Sequence, residues 1–524
     1  MLILALVVIS LFYLIYMRQQ QMSTMKRLGI PGPRPNFIFG HLIEIVSEGF
    51  NSLFPKWTKK YGPIVGFYIG GRPQLLVTDL ELIRRVLVKD FQIFSNRSEW
   101  IPGGIHPTPT LQKMMLWARD NVWKNLRATI SPSFSPHKLN AMEPLMMISI
   151  RNLFDELDDK AGSGREFNLK PLISDMTFSS ASKCIFGLNM SLKQLSTEAE
   201  SFAASSGPRL EKSMLAMTMM LFPSLTFIVY PLRVCWERLR MFMLWSADGV
   251  TYDVARKIVQ TRRAAKSESN DFLQLLMNAK RIQTTTDANL EMSASADDVK
   301  ANQNLLGKQT HSESLSEEEI LSNAMLFLLA SYETTSLTLQ FCLHNLVNHQ
   351  SVQDRLRTEL RKAVAPDKKT IKSADLSTVP LLNQIINETL RMFPPVAPFT
   401  TRVANEDYRY EDIRIPKGTS IFIGVSSIHK DPTFWPEPEK FRPERFEREL
   451  DEKLAFLPFG GGPRNCIGMR FAYMEVQLVL ANLILQYRFE PGPSTEKDPI
   501  ETEETFVTLL PKNGVFCRVT KIEE

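Results

Sequence analysis

Hydrophobic and polar positions along this chain fall mainly into helical periods. Near the start of the polar-apolar region, PIVGFYI and PQLLVTD read as two short strands, and beyond them the 3.6-residue period dominates the middle of the chain. SLSEEEI sets Ser316 and Glu319 in the spacing of a capping box, and the apolar run AMLFLLA and then SYETTS follow, so a long helix begins there. MRFAYMEVQLVLANLIL, after Gly468, reads as a buried helix. No internal repeat is visible. The pattern predicts a mainly α fold with a small β region (α+β).

The first seventeen residues, MLILALVVISLFYLIYM, hold Ser10 as their only strongly polar member and reach the lower limit of the roughly 17–25 residues that cross a bilayer as a helix. A cleaved signal peptide wants a basic start and a small-residue cleavage site, and neither is present, so residues 1–17 are expected to be an uncleaved anchor. Arg18, Lys26 and Arg27 follow it and place the rest of the chain in the cytosol. Pro31, Pro33 and Pro35 make 18–36 a stiff, non-helical linker, leaving 37–524 as one catalytic domain.

Two segments depart from the average. Gln283 to Ser316 is poor in apolar residues and reads as a mobile connection between helices. Ser213 to Tyr230 is rich in them; Pro223 near its centre favours two short helices dipping toward a membrane surface, with an ordinary core segment as the competing reading.

Composition changes this picture little. A formal net charge of +5 on 62 basic and 57 acidic residues is too dilute to call for nucleic acid as a partner. Five scattered cysteines, Cys184, Cys235, Cys342, Cys466 and Cys517, argue against a disulfide framework and a zinc site, and agree with a reducing compartment.

The chemistry concentrates in FLPFGGGPRNCIGMRFAYMEV. Gly460, Gly461 and Gly462 open backbone angles closed to other residues and let the chain approach a flat ligand, Pro463 stiffens the turn, and Cys466 falls just before a helix N-terminus, where free N–H groups favour a thiolate. A lone cysteine is ordinarily a small buried hydrophobe. Here Phe459, Gly462, Arg464, Cys466 and Gly468 resemble, at every fixed position, the F-x-x-G-x-R-x-C-x-G loop of the cytochrome P450 family, and Ala472 continues the match.

That resemblance implies a cytochrome P450 fold, with haem b buried between the long central helix and the cysteine-loop helix. It implies that Cys466 ligates the iron, that Arg464 pairs with a haem propionate, that Phe459 packs beside the sulfur, and that Gly462, Gly468 and Ala330 belong to the haem-binding set. Thiolate ligation pushes electron density onto iron and favours O–O cleavage. ETLR and FRPERF supply Glu388, Arg391 and Arg445, which by the same resemblance form a buried structural network; one turn apart on a helix surface, Glu388 and Arg391 alone are a weak signal. ASYETTS is similar to the family's A-G-x-E-T-T, with Ala330, Glu333, Thr334 and Thr335 matching and Ser331 in place of glycine; a solvent-facing polar stripe is the competing reading. The implied roles of Glu333 and Thr334 are to organise water for proton delivery to dioxygen. In NVWKNLRATI, Trp123 and Arg127 share a helix face and resemble the family's W-x-x-x-R propionate pair, and Arg402 is a further propionate candidate.

The function so implied is that of a monooxygenase inserting one atom of O2 into a lipophilic small molecule. No dinucleotide or flavin fingerprint is evident, so electrons come from an external NADPH-dependent flavoprotein reductase, and cytochrome b5 is a further partner. The resemblance places the chain in the endoplasmic reticulum membrane, among the microsomal drug-oxidising clan. Two rivals stand: a peroxide-rearranging haem-thiolate isomerase and a non-catalytic haem sensor. Candidate substrate walls are Ile101 to Leu116, Ser213 to Tyr230, Phe327, Ala330, Val396 to Phe399, and Phe506 with Val507.

Overall fold

In the computed structural model the described residues are 1–98, 113–190, 214–243, 247–265, 269–283, 310–364, 370–505 and 508–522. The chain opens with α1 (Leu2–Met22), followed by α2 (Leu42–Glu48) and α3 (Phe50–Tyr61). Strands β1 (Ile64–Ile69) and β2 (Arg72–Val77) come next, then α4 (Asp120–Ile130) and α5 (Pro136–Ser163). The short β3 (Phe167–Asn168) leads into α6 (Leu169–Phe186). Helices α7 (Met214–Leu221) and α8 (Thr226–Met243) precede the long central α9 (Glu317–Asn348), α10 (Gln350–Ala363) and α11 (Pro380–Met392). The last third holds β4 (Thr401–Val403), β5 (Ser420–Ile423), α12 (Val425–His429), α13 (Met469–Gln486), β6 (Tyr487–Glu490), β7 (Thr502–Glu504), β8 (Leu509–Pro511) and β9 (Phe516–Lys521).

Strands β1 and β2 form an antiparallel hairpin, β2 takes β5 in parallel, and β5 takes β4 antiparallel, giving a four-stranded sheet in the order β1-β2-β5-β4. A second sheet joins β6, β9 and β3. Everything else of size is helical, so the predicted mainly α fold with a small β region holds.

The capping box at Ser316 is formed in both directions: Glu319 N–H donates to Ser316 Oγ and Ser316 N–H to a Glu319 carboxylate oxygen. The helix it starts has 32 residues, hence about 48 Å of length at 1.5 Å per residue. It packs most closely on α6 and also touches α11 and α13. Being covered on several sides it is apolar nearly all round, as α13 is, which is the pattern of a helix inside a large core rather than on its surface. A separate aromatic cluster of Phe50, Phe54, Trp57, Phe67 and Phe422 seals α3 onto the four-stranded sheet.

Several expectations are corrected. The stretch 18–36 is not a non-helical spacer: α1 runs on to Met22 and one further turn covers Thr24–Arg27, because helix-forming Gln, Met, Lys and Arg fill these positions and the prolines begin only at 31. Nor does it hold the domain at a distance. Met25 and Ile30 are buried, Gly66 N–H donates to Pro31 O at 2.8 Å, and the buried Arg18 donates to Phe37 O, Ile38 O and Leu221 O. Of α1 itself, Leu4, Ile9, Phe12 and Tyr13 are exposed; among the described residues no helix is long and apolar enough to cross a membrane. Ser213 to Tyr230 is broken at Pro223, with α7 before it and α8 after it, although α8 is long, at 18 residues. Of the apolar-poor connection, 284–309 lies outside the described residues, while its ends, Lys280–Gln283 and Thr310–Ser314, pair as antiparallel strands.

Candidate active site

The cysteine loop is held by its own backbone. Cys466 N–H donates to Phe459 O at 2.9 Å and Gly460 N–H to Leu457 O at 3.1 Å, closing two turns around residues 457–466. Gly460 and Gly462 take φ of +70° and +67°. At Gly462 a Cβ would overlap the carbonyl oxygen of Leu87, so this glycine permits close packing of the loop on the 85–89 turn, not the approach to a flat ligand that the sequence suggested. Phe459 packs on Tyr473, with ring centroids 5.2 Å apart.

Cys466 lies two residues before Gly468, the N-cap of α13. It sits deep in the protein, yet its side chain is accessible, which is the condition of an atom lining an internal space. Burial raises the thiol pKa and outweighs the Gly468 N–H and the Arg127 and Arg97 charges, which lower it. Burial thus opposes the thiolate that the helix N-terminus and the two arginines favour, and a cation bound at the sulfur would favour it further.

Four guanidiniums gather behind the loop. Arg97 donates to Phe399 O at 2.5 Å and to Arg464 O at 3.1 Å, and Arg127 to Asn465 O at 3.0 Å and Asn465 Oδ1 at 2.8 Å. Arg402 donates to Gly461 O at 3.1 Å, and its Nε is buried without an acceptor among the described residues. Arg464 donates to Ser95 O at 2.5 Å and Ala118 O at 2.9 Å, with its guanidinium 4.1 Å from the centre of the buried Trp123 ring. Among the described residues the hydrogen bonds of all four go to carbonyl and amide oxygens and none to a carboxylate. Burial first, then the neighbouring arginines, brings Arg464 down to about 7; burial brings Arg97 to about 10, and burial with a smaller push from Arg97 brings Arg127 to about 10. Such a cluster is stabilised by an anion. Arg97 was missed in the sequence because NRS fits no period and its partners lie more than 300 residues away.

The middle of α9 carries the other expected residues. Ala330 is accessible there, although it belongs to a largely buried helix. Thr334 Oγ1 donates to Ala330 O at 2.7 Å and Ser331 Oγ to Leu328 O at 3.2 Å, so both hydroxyls are tied back to their own helix. Glu333 faces another way: its carboxylate accepts from Thr508 Oγ1 at 3.3 Å, and burial raises its pKa while Thr508 and Lys170 pull it down. Phe327 is buried between Phe134 and Phe272, at 5.3 and 4.7 Å between centroids, and Phe399 meets Trp117 at 6.0 Å. Of the other expected walls, Ile101 to Leu116 falls mostly on 99–112, and Phe506 and Val507 fall wholly, outside the described residues.

Glu388, Arg391 and Arg445 come together. The Arg391 guanidinium, fully buried, donates to both Glu388 oxygens at 2.8 and 2.9 Å, and Arg445 donates to the same carboxylate at 3.1 Å. Arg391 also donates to His429 O and Pro438 O, each at 2.8 Å.

One accessible thiol deep in the protein and, beside it, guanidiniums that meet no carboxylate among the described residues are a donor set suited to a flat iron macrocycle with anionic side arms. Comparison with known proteins decides which. The family model described as Cytochrome P450 matches residues 30–518. This chain belongs to the cytochrome P450 family. It is 32% identical over 526 residues to Cytochrome P450 3A9 of Rattus norvegicus, covering 99% of this chain and 96% of that one. Cytochrome P450 3A13 of Mus musculus is 31% identical over 95% of this chain and 92% of its own, and Thromboxane-A synthase of Rattus norvegicus 31% over 95% and 93%. As a P450 it binds haem b through a cysteine thiolate and is a monooxygenase, using O2 and electrons from a redox partner on lipophilic substrates. Haem supplies the iron at which dioxygen is activated. The residues present fit it: the Cys466 sulfur for the iron, and Arg97, Arg127 and Arg402, with Arg402 Nε still lacking an acceptor, for the two propionates.

Proposed function

We propose that this P450 is a membrane-bound monooxygenase in which Cys466 is the proximal ligand, Trp123, Arg127 and Arg464, with Arg97 and Arg402, hold the propionate edge, and Ala330 lines the distal face. The observation that carries this reading is the accessible sulfur of Cys466 near guanidiniums that meet no carboxylate among the described residues. Arg97, Arg127 and Arg402 neutralise the anionic edge directly. Arg464, held through part of its guanidinium by Ser95 O and Ala118 O and packed on Trp123, turns its remaining donors to a propionate in this reading. Phe459, Gly462 and Gly468 hold the loop, and Glu388, Arg391 and Arg445 lock the core behind it.

Glu333 and Thr334 govern proton delivery in this reading. Burial raises the carboxyl pKa of Glu333 and so favours its proton-holding form, and Thr334 offers its hydroxyl lone pairs to water beside Ala330. Electrons come from an NADPH-dependent flavoprotein reductase, with cytochrome b5 as a second donor. We place the protein in the endoplasmic reticulum membrane with residues 1–17 as its anchor, 18–36 as the joint and 37–524 as the cytosolic catalytic domain. The exposed Leu4, Ile9, Phe12 and Tyr13 support the anchor.

The test is a spectrum. Reduced with dithionite under carbon monoxide, the wild-type protein shows the long-wavelength Soret band of thiolate ligation and Cys466→Ala does not; an unchanged band in the variant sinks the assignment. A second reading, peroxide rearrangement, is favoured by the likeness to Thromboxane-A synthase. Substrate-dependent NADPH consumption with the reductase supports the monooxygenase, and turnover of a peroxide without reductase or dioxygen supports the rival.

A further inference from the structure

We propose that His429 is a positioning residue for the cysteine ligand, tying the Glu388–Arg391–Arg445 network to the backbone that carries Cys466. The inference rests on the reading of Cys466 as the iron ligand. His429 ends α12 and is fully buried. Its Nε2 lies 2.9 Å from Leu457 N, and its Nδ1 3.2 Å from Arg391 O. Its own carbonyl accepts from the Arg391 guanidinium at 2.8 Å, so His429 and Arg391 hold one another from both sides.

The tautomer follows from these partners. Leu457 N–H can only donate, so Nε2 accepts and the ring proton sits on Nδ1, donating to Arg391 O. The ring stays neutral, because burial and the Arg391 charge bring its pKa down to about 3. It stacks on Phe456 at 5.5 Å and 26°, which fixes the ring plane. A rigid ring with a donor on one edge and an acceptor on the other is what this gap requires, and neither lysine nor an aliphatic residue offers it.

Leu457 is the first residue of the cysteine loop. Its carbonyl accepts from Gly460 N–H, and one residue before Gly460 the carbonyl of Phe459 accepts from Cys466 N–H. The position of Leu457 is therefore passed through one turn to the hydrogen bond that sets the Cys466 backbone. Through His429 the buried ion network is joined to the backbone of the loop that carries Cys466.

Full-chain, haem-loaded His429→Phe and His429→Gln test this. Phenylalanine keeps the ring and its stack but removes both polar atoms, whereas glutamine keeps a donor and an acceptor at a similar separation. Three properties are read: the rate at which the thiolate-type carbon monoxide band converts to the thiol-type band, the ferric/ferrous midpoint potential, and deuterium uptake by the peptide spanning Leu457 to Cys466. His429→Phe is expected to convert about tenfold faster, the scale of one buried N–H losing its acceptor, with a shifted potential and faster uptake confined to that peptide. His429→Gln is expected to recover most of the wild-type behaviour. Wild-type conversion and uptake in His429→Phe overturn the proposal. If His429→Phe yields no haem-loaded protein, the glutamine variant decides: wild-type spectra and uptake support the hydrogen-bonded link, and failure equal to that of phenylalanine overturns it. A wild-type band that survives Cys466→Ala is distinguishable from all of these and overturns the ligand assignment itself.

Discussion

At single residues, burial decides the chemistry more often than charge. Glu475, on α13, is fully buried, with neither carboxylate oxygen hydrogen-bonded among the described residues, and burial raises its pKa to about 7, the nearby Ser180 hydroxyl offsetting only part. The sign is fixed by the two states. Below about pH 4.3 the carboxyl is neutral in folded and unfolded chains alike; as pH rises the unfolded chain ionises first, so stability falls and levels off above about 7. Glu475→Gln removes that slope. The stability of the variant relative to wild type, from urea unfolding at several pH values, should improve by roughly 3 kcal/mol between pH 5 and 8. A constant difference across that range would show that Glu475 does not hold the proton. Arg391 is the opposite case, a buried charge fully matched by Glu388. Arg391→Ala leaves that carboxylate to Arg445 and the Arg442 N–H, at a cost of about 3–5 kcal/mol, and Arg391→Lys, which keeps the charge but loses the two-pronged fork, should restore only part in the same unfolding assay.

At the level of elements, what the sequence made legible is what is local. The capping box at Ser316, the break at Pro223 and the buried run of α13 each depend on residues within a few positions of one another, and each forms. Contacts set by distant segments were not legible. The parallel pairing of β2 with β5 joins Leu75 to Ile421, Arg97 meets Phe399 and Arg464, and Leu457 finds His429, none of which leaves a periodic trace. The cysteine loop lies between these cases. Its motif identifies the residues, but the backbone that Gly462 approaches, at Leu87, and the balance that raises the Cys466 thiol pKa belong to the tertiary structure. The local part can be tested alone. Ser316→Ala removes the side-chain acceptor for Glu319 N–H and should cost about 1 kcal/mol in urea unfolding, while leaving the carbon monoxide spectrum unchanged, because the cap lies more than three turns of helix from Ala330. A spectral change would mean that the start of α9 is coupled to the haem face.

Over the whole molecule, most of the exposed large apolar side chains beyond α1 among the described residues gather in two regions, with Val122 and Ile148 apart from them. Phe37, Ile38, Ile43 and Val46 follow the joint, and Phe222, Phe227, Ile228 and Leu232 surround the break between α7 and α8, all of them exposed. The two regions are neighbours: Leu42, Ile45, Met219, Met220 and Val229 share one buried cluster, and Arg18 donates to carbonyls on both sides, with its guanidinium 5.4 Å from the Phe222 ring. Helix α1 is thus clamped to the face that α7 and α8 present; if residues 1–17 anchor the protein as proposed, the domain would meet a bilayer in one orientation instead of swinging on a tether. Each large side chain moved from water into lipid contributes about 1.5–3 kcal/mol when fully immersed, so even partial burial of several would hold the domain after the anchor is gone. Deleting residues 1–17 should therefore weaken flotation with phospholipid vesicles without abolishing it, and the residual binding should survive high salt, since it is apolar and not screened. Adding Phe227→Ser, Ile228→Ser and Leu232→Ser to the deletion should release the protein. If the truncated protein is already free of the vesicles, the anchor acts alone and the face around α7 and α8 lies clear of the bilayer.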